Sequence, residues 1–266
     1  QLSGIVNGID YNVYNPKTDK DIAVNYSVED VIKAKAANKT ALQKELGLEE
    51  NPDAFMLGIV SRLTDQKGLD LVECVLDQIC AEDVQLVVLG TGEGKYQDMF
   101  TYYSRKYPER VSANIFYSEA LSHRIYASCD AFLMPSLFEP CGLSQLMSLR
   151  YGTLPIVRET GGLRDTVTPY NEVDGTGTGF SFTNYNAHEM LAIIRYAKKT
   201  YFNDRRAWNE MVLRAMKQDF SWDASAREYE KLYDGLIEEE ARRKEAIRLQ
   251  QAREAAEAAL KEAEKA

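Results

Sequence analysis

At 266 residues the chain is long enough for one large domain or two small ones, and a hydrophobic fraction of 45%, with 16 Tyr and 9 Phe, calls for a packed core and excludes extended disorder. A formal net charge of -9 repels phosphate backbones and disfavours general nucleic-acid binding, while leaving room for a local basic pocket. No stretch reaches the ~18 apolar residues of a membrane span, and four cysteines without a CxxC and two distant histidines, His123 and His188, make neither a disulfide scaffold nor a zinc site, so free thiols in a reducing cytosol follow.

The chain opens on Gln1-Leu2-Ser3-Gly4, with no basic region and no Met, which reads as neither a secretion signal nor a natural start. The expectation is a piece of something longer. Residues 1–20 carry Asn7-Gly8, Asp10, Asn12 and Asn15-Pro16, the punctuation of an irregular lead-in. A helical pattern then runs from about Val28 to Leu46 and stops at Gly47. Short apolar runs follow, alternating with helical ones. Strands are predicted at Phe55–Val60, Val84–Leu89, Val111–Phe116, Ala131–Met134, Leu154–Val157 and Gly179–Phe182. Helices are predicted over Leu69–Cys80, from Gly94 to about Lys106, over Ser122–Ala127 and over Leu143–Tyr151. Strands that are apolar on both faces suit a parallel sheet buried between helices, and the alternation makes a doubly wound, Rossmann-like α/β domain. From Ala187 to Leu236 the pattern is helical, with Asp204 and Ser221 as N-caps.

After Ile237 the composition changes. Residues 238–266 hold no Gly, Pro or aromatic residue, and Glu238/Arg242, Glu239/Arg243, Glu240/Lys244 and Glu257/Lys261 are Glu-to-cation pairs at i,i+4. One continuous helix about 40 Å long is predicted. Leu249, Ala252, Ala256, Ala259 and Ala263 form only a narrow stripe of mostly small residues, too weak for a coiled coil. The predicted organisation is a lead-in over 1–20, an α/β domain over 21–237 and a helical extension over 238–266.

In an open parallel sheet the ligand crevice lies at the carboxyl ends of the strands, and four loops there carry candidate chemistry. Ser61–Gly68 follows the first strand and supplies Arg62 and Lys67, a guanidinium and an ammonium suited to a diphosphate. Two ordinary surface cations fit the same residues equally well. Pro135–Gln145 follows the fourth strand and places Glu139 at a strand end. Cys141, Gly142, Leu143 and Ser144 lie there at a helix start, where free N–H groups meet phosphate. Gly161 and Gly162 precede another helix and allow a close approach, or form a tight structural turn. Tyr117 ends the third strand, where it can stack on a flat base or belong to the core. Gly90, Gly92 and Gly94 spell GxGxG rather than the dinucleotide fingerprint, so a structural turn is the better account.

Together these segments resemble the C-terminal domain of bacterial glycogen synthases and plant starch synthases, retaining glucosyltransferases of the two-Rossmann-domain (GT-B) class. The likeness runs from Val6-Asn7-Gly8-Ile9-Asp10 to about Leu236 and is carried by Val60–Gly68, Tyr117–Ile125, Pro135–Gln145, Tyr151–Pro155 and Thr160–Val167, in family order. The resemblance implies transfer of glucose from ADP-glucose to an α-1,4-glucan in the cytoplasm. It implies that Arg62 and Lys67 hold the diphosphate and stabilise departing ADP, that Glu139 lies at the glucose or ribose side, and that Tyr117 stacks on adenine. The backbone around Cys141, Gly142 and Leu143 would meet glucose or phosphate. No cofactor and no metal are implied, because the cations and a helix terminus do a divalent ion's electrostatic work.

Two departures accompany the likeness. The N-terminal domain of the family, with its acceptor surface, is not in the sequence, so little synthase activity is expected of this chain alone. The Ala/Glu/Lys/Arg tail resembles an engineered rigid helix more than a natural continuation. A non-catalytic scaffold whose 238–266 helix docks a designed partner is therefore the alternative function. A different glycosyltransferase of the same fold is a lesser one. Such enzymes place a second Glu eight residues after the first, and here that position is Met147.

Overall fold

Six of the apolar runs become one parallel sheet: β1 Phe55–Val60, β2 Val84–Leu89, β3 Val111–Asn114, β4 Ala131–Met134, β5 Leu154–Arg158 and β6 Phe180–Phe182. The order across the sheet is β3-β2-β1-β4-β5-β6, with every neighbouring pair parallel. The order reverses between β1 and β4, and their carboxyl ends carry the loops that begin at Ser61 and Pro135. Burial of β2 and β4 along their whole length explains why these strands read as apolar runs rather than alternating ones, broken only by Gln85, whose amide is bonded to Gln43 and the Glu49 carbonyl. The computed structural model describes residues 3–263. The first two and last three residues of the predicted lead-in and tail lie outside the described residues.

The helices are α1 Val31–Leu46, α2 Leu69–Ala81, α3 Gly94–Lys106, α4 Glu119–Ser128, α5 Ser144–Arg150, α6 Gly161–Thr166, α7 Ala187–Asn203, α8 Arg205–Met216 and α9 Trp222–Ala263. Gly47 ends α1 in the left-handed conformation, and Asp204 caps α8 by accepting from the Ala207 N–H, both as predicted. Several boundaries differ from the sequence reading by one to three residues, among them the end of β3 and the start of α4. β3 stops at Asn114, two residues short of the predicted end, and the Asn114 side chain donates to the Val88 carbonyl at 3.1 Å. α4 starts three residues early, because the Ser118 hydroxyl accepts from the Leu121 N–H and caps it.

The chain divides into two units. One is the α/β unit, Ile9–Phe220, which includes most of the predicted lead-in. The other joins the N-terminal stretch through Gly8 to the chain from Ser221 onward. Within the second unit, Ser221 caps α9 by accepting from the Ala224 N–H, and the Ser225 hydroxyl donates to the Val6 carbonyl at 2.8 Å. α9 is unbroken from Trp222 to Ala263, so the composition change at residue 238 leaves no mark on the backbone. The predicted pair Glu240/Lys244 stands 3.7 Å apart.

Inside the α/β unit, two lysines of α1 hold the amino ends of the strands. Lys39 Nζ lies 2.6 Å from Asp130 Oδ2 and also donates to the Ala54 carbonyl and the Tyr201 hydroxyl. Asp130 accepts from the Met56 N–H at 2.8 Å, so one ion pair ties α1 to the starts of β1 and β4. Lys35 donates to the Ala127 carbonyl and to Thr153 Oγ1 at 2.6 Å. Both amino groups are buried and bonded to oxygens, but burial pushes Lys35 down to about 7, whereas for Lys39 burial is outweighed by Asp130 and Tyr201 together, which hold the ammonium above its ordinary value. At the far edge of the same helix layer, Asp19 accepts from His123 Nδ1 at 2.7 Å, from the Tyr151 hydroxyl and from the Asp21 N–H at 2.9 Å. Burial pushes the Asp19 carboxyl up, but the bonds from His123, Tyr151 and the Asp21 N–H outweigh it and hold the group below its ordinary range.

Two stability predictions follow from these buried groups. Lys39→Met leaves the buried Asp130 carboxylate without its ion-pair partner and is expected to cost about 3–5 kcal/mol in urea unfolding; a loss under about 1 kcal/mol would show that the pair holds nothing. Asp19 is depressed in the folded state, so its contribution is complete above the unfolded carboxylate pKa of about 4 and fades as pH falls through the folded value. The stability gap between wild type and Asp19→Asn should therefore be widest near neutrality and close in acid, and a gap independent of pH would contradict the network.

Candidate functional site

The carboxyl ends of β1, β2 and β3 open on a cleft of about 290 Å³. Its floor is Val60, Ser61, Leu89 and Gly90, and its rim carries Arg62, Phe116, Tyr117 and Ser144. The strands place these residues by ending: a parallel strand releases its last residue into the loop above the sheet, and the side chains there point at the crevice. Arg62 is exposed, and among the described residues it makes no ion pair or side-chain hydrogen bond. Tyr117 is 85% exposed, so it is no part of the core. Three of the sequence-predicted site residues, Arg62, Tyr117 and Ser144, thus share one cleft.

Lys67 lies on a 3-10 turn, Asp65–Lys67, just before α2. Its Nζ is 2.6 Å from Glu139 Oε2, across 72 residues of sequence. Glu139 is buried and also accepts from Ser136 Oγ at 3.3 Å. The first and second predicted loops therefore meet through opposite charges, at the reversal of strand order between β1 and β4. A carboxylate in this position has lone pairs beyond those used by Lys67 and Ser136 with which to accept from hydroxyl groups.

The backbone makes that meeting possible. Gly68 has φ +70, and a Cβ there would stand 2.0 Å from the Pro135 carbonyl oxygen. The Leu137 N–H donates to the Gln66 carbonyl at 2.9 Å, locking the two loops together. The predicted glycines 161 and 162 serve the same loop from its other side. A Cβ on Gly161 would stand 2.2 Å from the Glu139 carbonyl, and one on Gly162 would stand 2.1 Å from the Cys141 carbonyl. The Gly162 N–H donates to the Glu139 carbonyl at 3.1 Å. Both are the opening residues of α6, and the close approach they permit is to the Glu139–Cys141 backbone. Cys141 is half-buried, Gly142 buried and Leu143 exposed, and none of the three lines the cleft. α5 begins at Ser144, one or two residues later than the sequence pattern indicates.

Sequence reasoning missed three contributors. Gln145 is buried on α5 and donates through Nε2 to the carbonyls of Cys141 and Gly142 at 3.0 and 3.1 Å, which clamps the loop. Arg158, at the end of β5, donates through Nε to the Ser136 carbonyl at 2.8 Å and through Nη2 to the Leu137 carbonyl. Tyr14, from the lead-in, lines the cleft beside Tyr117. A polar residue at the end of an apolar strand was the available signal for Arg158; nothing in the local pattern marks Tyr14. A possible cation cluster, Asp19, Asp21 and His123, brings three ligand atoms within 4.8 Å. Hydrogen bonds from His123, Tyr151 and the Asp21 N–H already occupy Asp19 there.

Residues 39–212 match the family described as glycosyl transferases group 1. The chain is 70% identical over 235 residues to a glycogen synthase of Lachnospira eligens, covering 88% of this chain and 49% of that protein. It is 55% identical over 236 residues to a glycogen synthase of Clostridium acetobutylicum, with 89% and 49% covered. The chain thus spans about half the length of the curated relatives it matches. The solved catalytic domain of starch synthase IV from Arabidopsis thaliana, bound to ADP and acarbose, superposes with a TM-score of 0.80 at 35% identity, over 86% of this chain and 48% of that one. An Anabaena protein in complex with UDP-glucose shares the fold alone, with a TM-score of 0.62 at 20% identity over 87% of this chain and 57% of that one. No described helix is long and apolar enough to cross a membrane. With the match extending through the sheet and the helices that carry the cleft, this chain belongs to the group 1 glycosyltransferases.

Proposed function

We propose that the α/β unit is the donor-binding half of a retaining glucosyltransferase of the glycogen synthase kind, and that its cleft holds the ADP portion of ADP-glucose. The observation that carries this reading is the Lys67–Glu139 pair at 2.6 Å, whose lysine shares the loop after β1 with the unpaired, cleft-lining Arg62, at the strand ends where order reverses. Relatives named glycogen synthase and a starch synthase solved with ADP support it.

In this reading Arg62 and Lys67 face the diphosphate and stabilise the negative charge that grows on ADP as the glycosidic bond to phosphate breaks. Charges fixed before the reaction need no reorganisation when that charge appears. Glu139 accepts from hydroxyl groups of the glucosyl or ribosyl ring. Tyr117 stacks on adenine, and the backbone from Cys141 to Leu143 lies against glucose or phosphate. Gly161 and Gly162 act on the donor indirectly, by seating that backbone. The acceptor glucan and the transfer step belong to a cleft closed by a second lobe; the relatives are about twice as long as the stretch matched here.

Calorimetric titration of the chain with ADP and ADP-glucose tests this. Arg62→Ala and Lys67→Ala should each weaken both ligands by about tenfold or more, which is ~1.4 kcal/mol per decade. Glu139→Gln should behave differently. It frees Lys67 from its partner, so ADP binding stays level or tightens, while the extra affinity conferred by the glucosyl group falls. No saturable ADP binding by the wild-type chain up to millimolar ligand would remove the proposal.

A further inference from the structure

We infer that Tyr14 is the second aromatic wall of the base site, positioned by a buried His123–Asp19 pair; this rests on the nucleotide reading above. Tyr117 alone offers a poor base site. At 85% exposure it presents a ring with no protein opposite, and one stacked face leaves the other side of a base in water. Tyr14 lines the same cleft, is half-buried, and reaches it from a part of the chain 103 residues away. Two rings and the apolar floor of Val60 and Leu89 then make an aromatic-rich slot suited to a planar heterocycle.

The support behind Tyr14 is specific. Its ring stacks on the His123 imidazole, with centroids 4.8 Å apart and planes inclined by 27°. His123 is buried on α4, and its Nδ1 lies 2.7 Å from Asp19 Oδ2. Asp19 is fixed in turn by the Tyr151 hydroxyl and the Asp21 N–H. The other imidazole nitrogen, Nε2, is buried with no hydrogen-bond partner among the described residues. Buried polar atoms are seldom left so, and a phenyl ring would fill the space without that cost. What a histidine adds over a phenylalanine at this place is the bond to Asp19, which fixes the plane on which Tyr14 rests. Burial, together with the charges of Glu119 and Tyr117 nearby, raises the Tyr14 phenol above its ordinary value and keeps it a neutral donor at the cleft. His123 and Asp19 touch no ligand in this arrangement; they are positioning residues.

The test is calorimetric titration of the full chain with ADP and with inorganic pyrophosphate, which shares the diphosphate but has no base. Tyr14→Ala should weaken ADP about ten- to hundredfold, the range of one base–aromatic stack, and leave pyrophosphate unchanged. Tyr14→Phe, which keeps the ring, should restore most of the ADP affinity. His123→Ala should weaken ADP several-fold, and combining it with Tyr14→Ala should cost no more than Tyr14→Ala alone, because both act through one ring. Full ADP affinity in Tyr14→Ala overturns the inference while leaving the donor site intact. Equal loss of ADP and pyrophosphate also overturns it, since Tyr14 would then support the cleft as a whole. A wild-type chain that binds pyrophosphate but gains nothing from the nucleoside removes both this inference and the nucleotide reading.

Discussion

The site depends on three places where two backbones approach too closely for a side chain. Gly68 lies against the Pro135 carbonyl, Gly161 against that of Glu139 and Gly162 against that of Cys141. Each contact stands at the carboxyl end of a strand, and together they press the 135–145 loop between the turn before α2 and the start of α6. The Lys67–Glu139 pair is a consequence. A lysine on a flexible stem can meet many carboxylates, but only a loop held at both flanks keeps a buried Glu139 within 2.6 Å of it. Gln145 and Arg158 reinforce the same loop through its carbonyls, so their clamping acts on the backbone and leaves the acidic side chain to Lys67 and Ser136.

The same fold sorts its cations by what surrounds them. Lys35 and Lys39 stand at the amino ends of the strands, buried, with every ammonium proton directed at an oxygen. Such groups are structural: their partners are buried, and taking Lys39 from Asp130 would strand a charge in the core. Arg62 is at the opposite pole, exposed and unpaired. Lys67 falls between, with a side chain 17% accessible and one carboxylate partner. That intermediate state suits a group that must hold its position without an anion and still turn to one when it arrives.

Much of this was legible in the sequence, and the reasons are physical. Parallel strands buried on both faces leave apolar runs, so β1, β2 and β4 were bounded to the residue. Helix ends written in local chemistry, Gly47 and Asp204, were equally plain. The placement of Lys67 and Glu139 at strand ends was legible too, but their pairing rests on the adjacency of β1 and β4, which no local pattern states. What escaped was non-local. That Gly161 and Gly162 face the neighbouring backbone depends on how α6 docks. Tyr14 joins the cleft only because a buried Asp19–His123–Tyr151 network folds an irregular, turn-rich lead-in onto α4 and the start of β5. No periodicity marks such a segment, since the hydrogen bonds that anchor it, those of Asp19, run to side chains more than a hundred residues away.

The lead-in therefore belongs to the site as much as the strand-end loops do. Its turns, Asn15 through Asp21, consume their own polar groups in short-range hydrogen bonds, such as those from the Lys17 N–H to Asn15 and from the Asp21 N–H to Asp19. That self-sufficiency lets an irregular stretch pack without a ladder partner. It leaves Tyr14 and Asp19 as the residues that reach inward, one to the cleft and one to the core. The catalytic geometry of a group 1 glycosyltransferase is usually sought where the sheet ends. Here an aromatic side chain far from those ends in sequence stands among them, because burying one carboxylate with three donors was enough to bring it there.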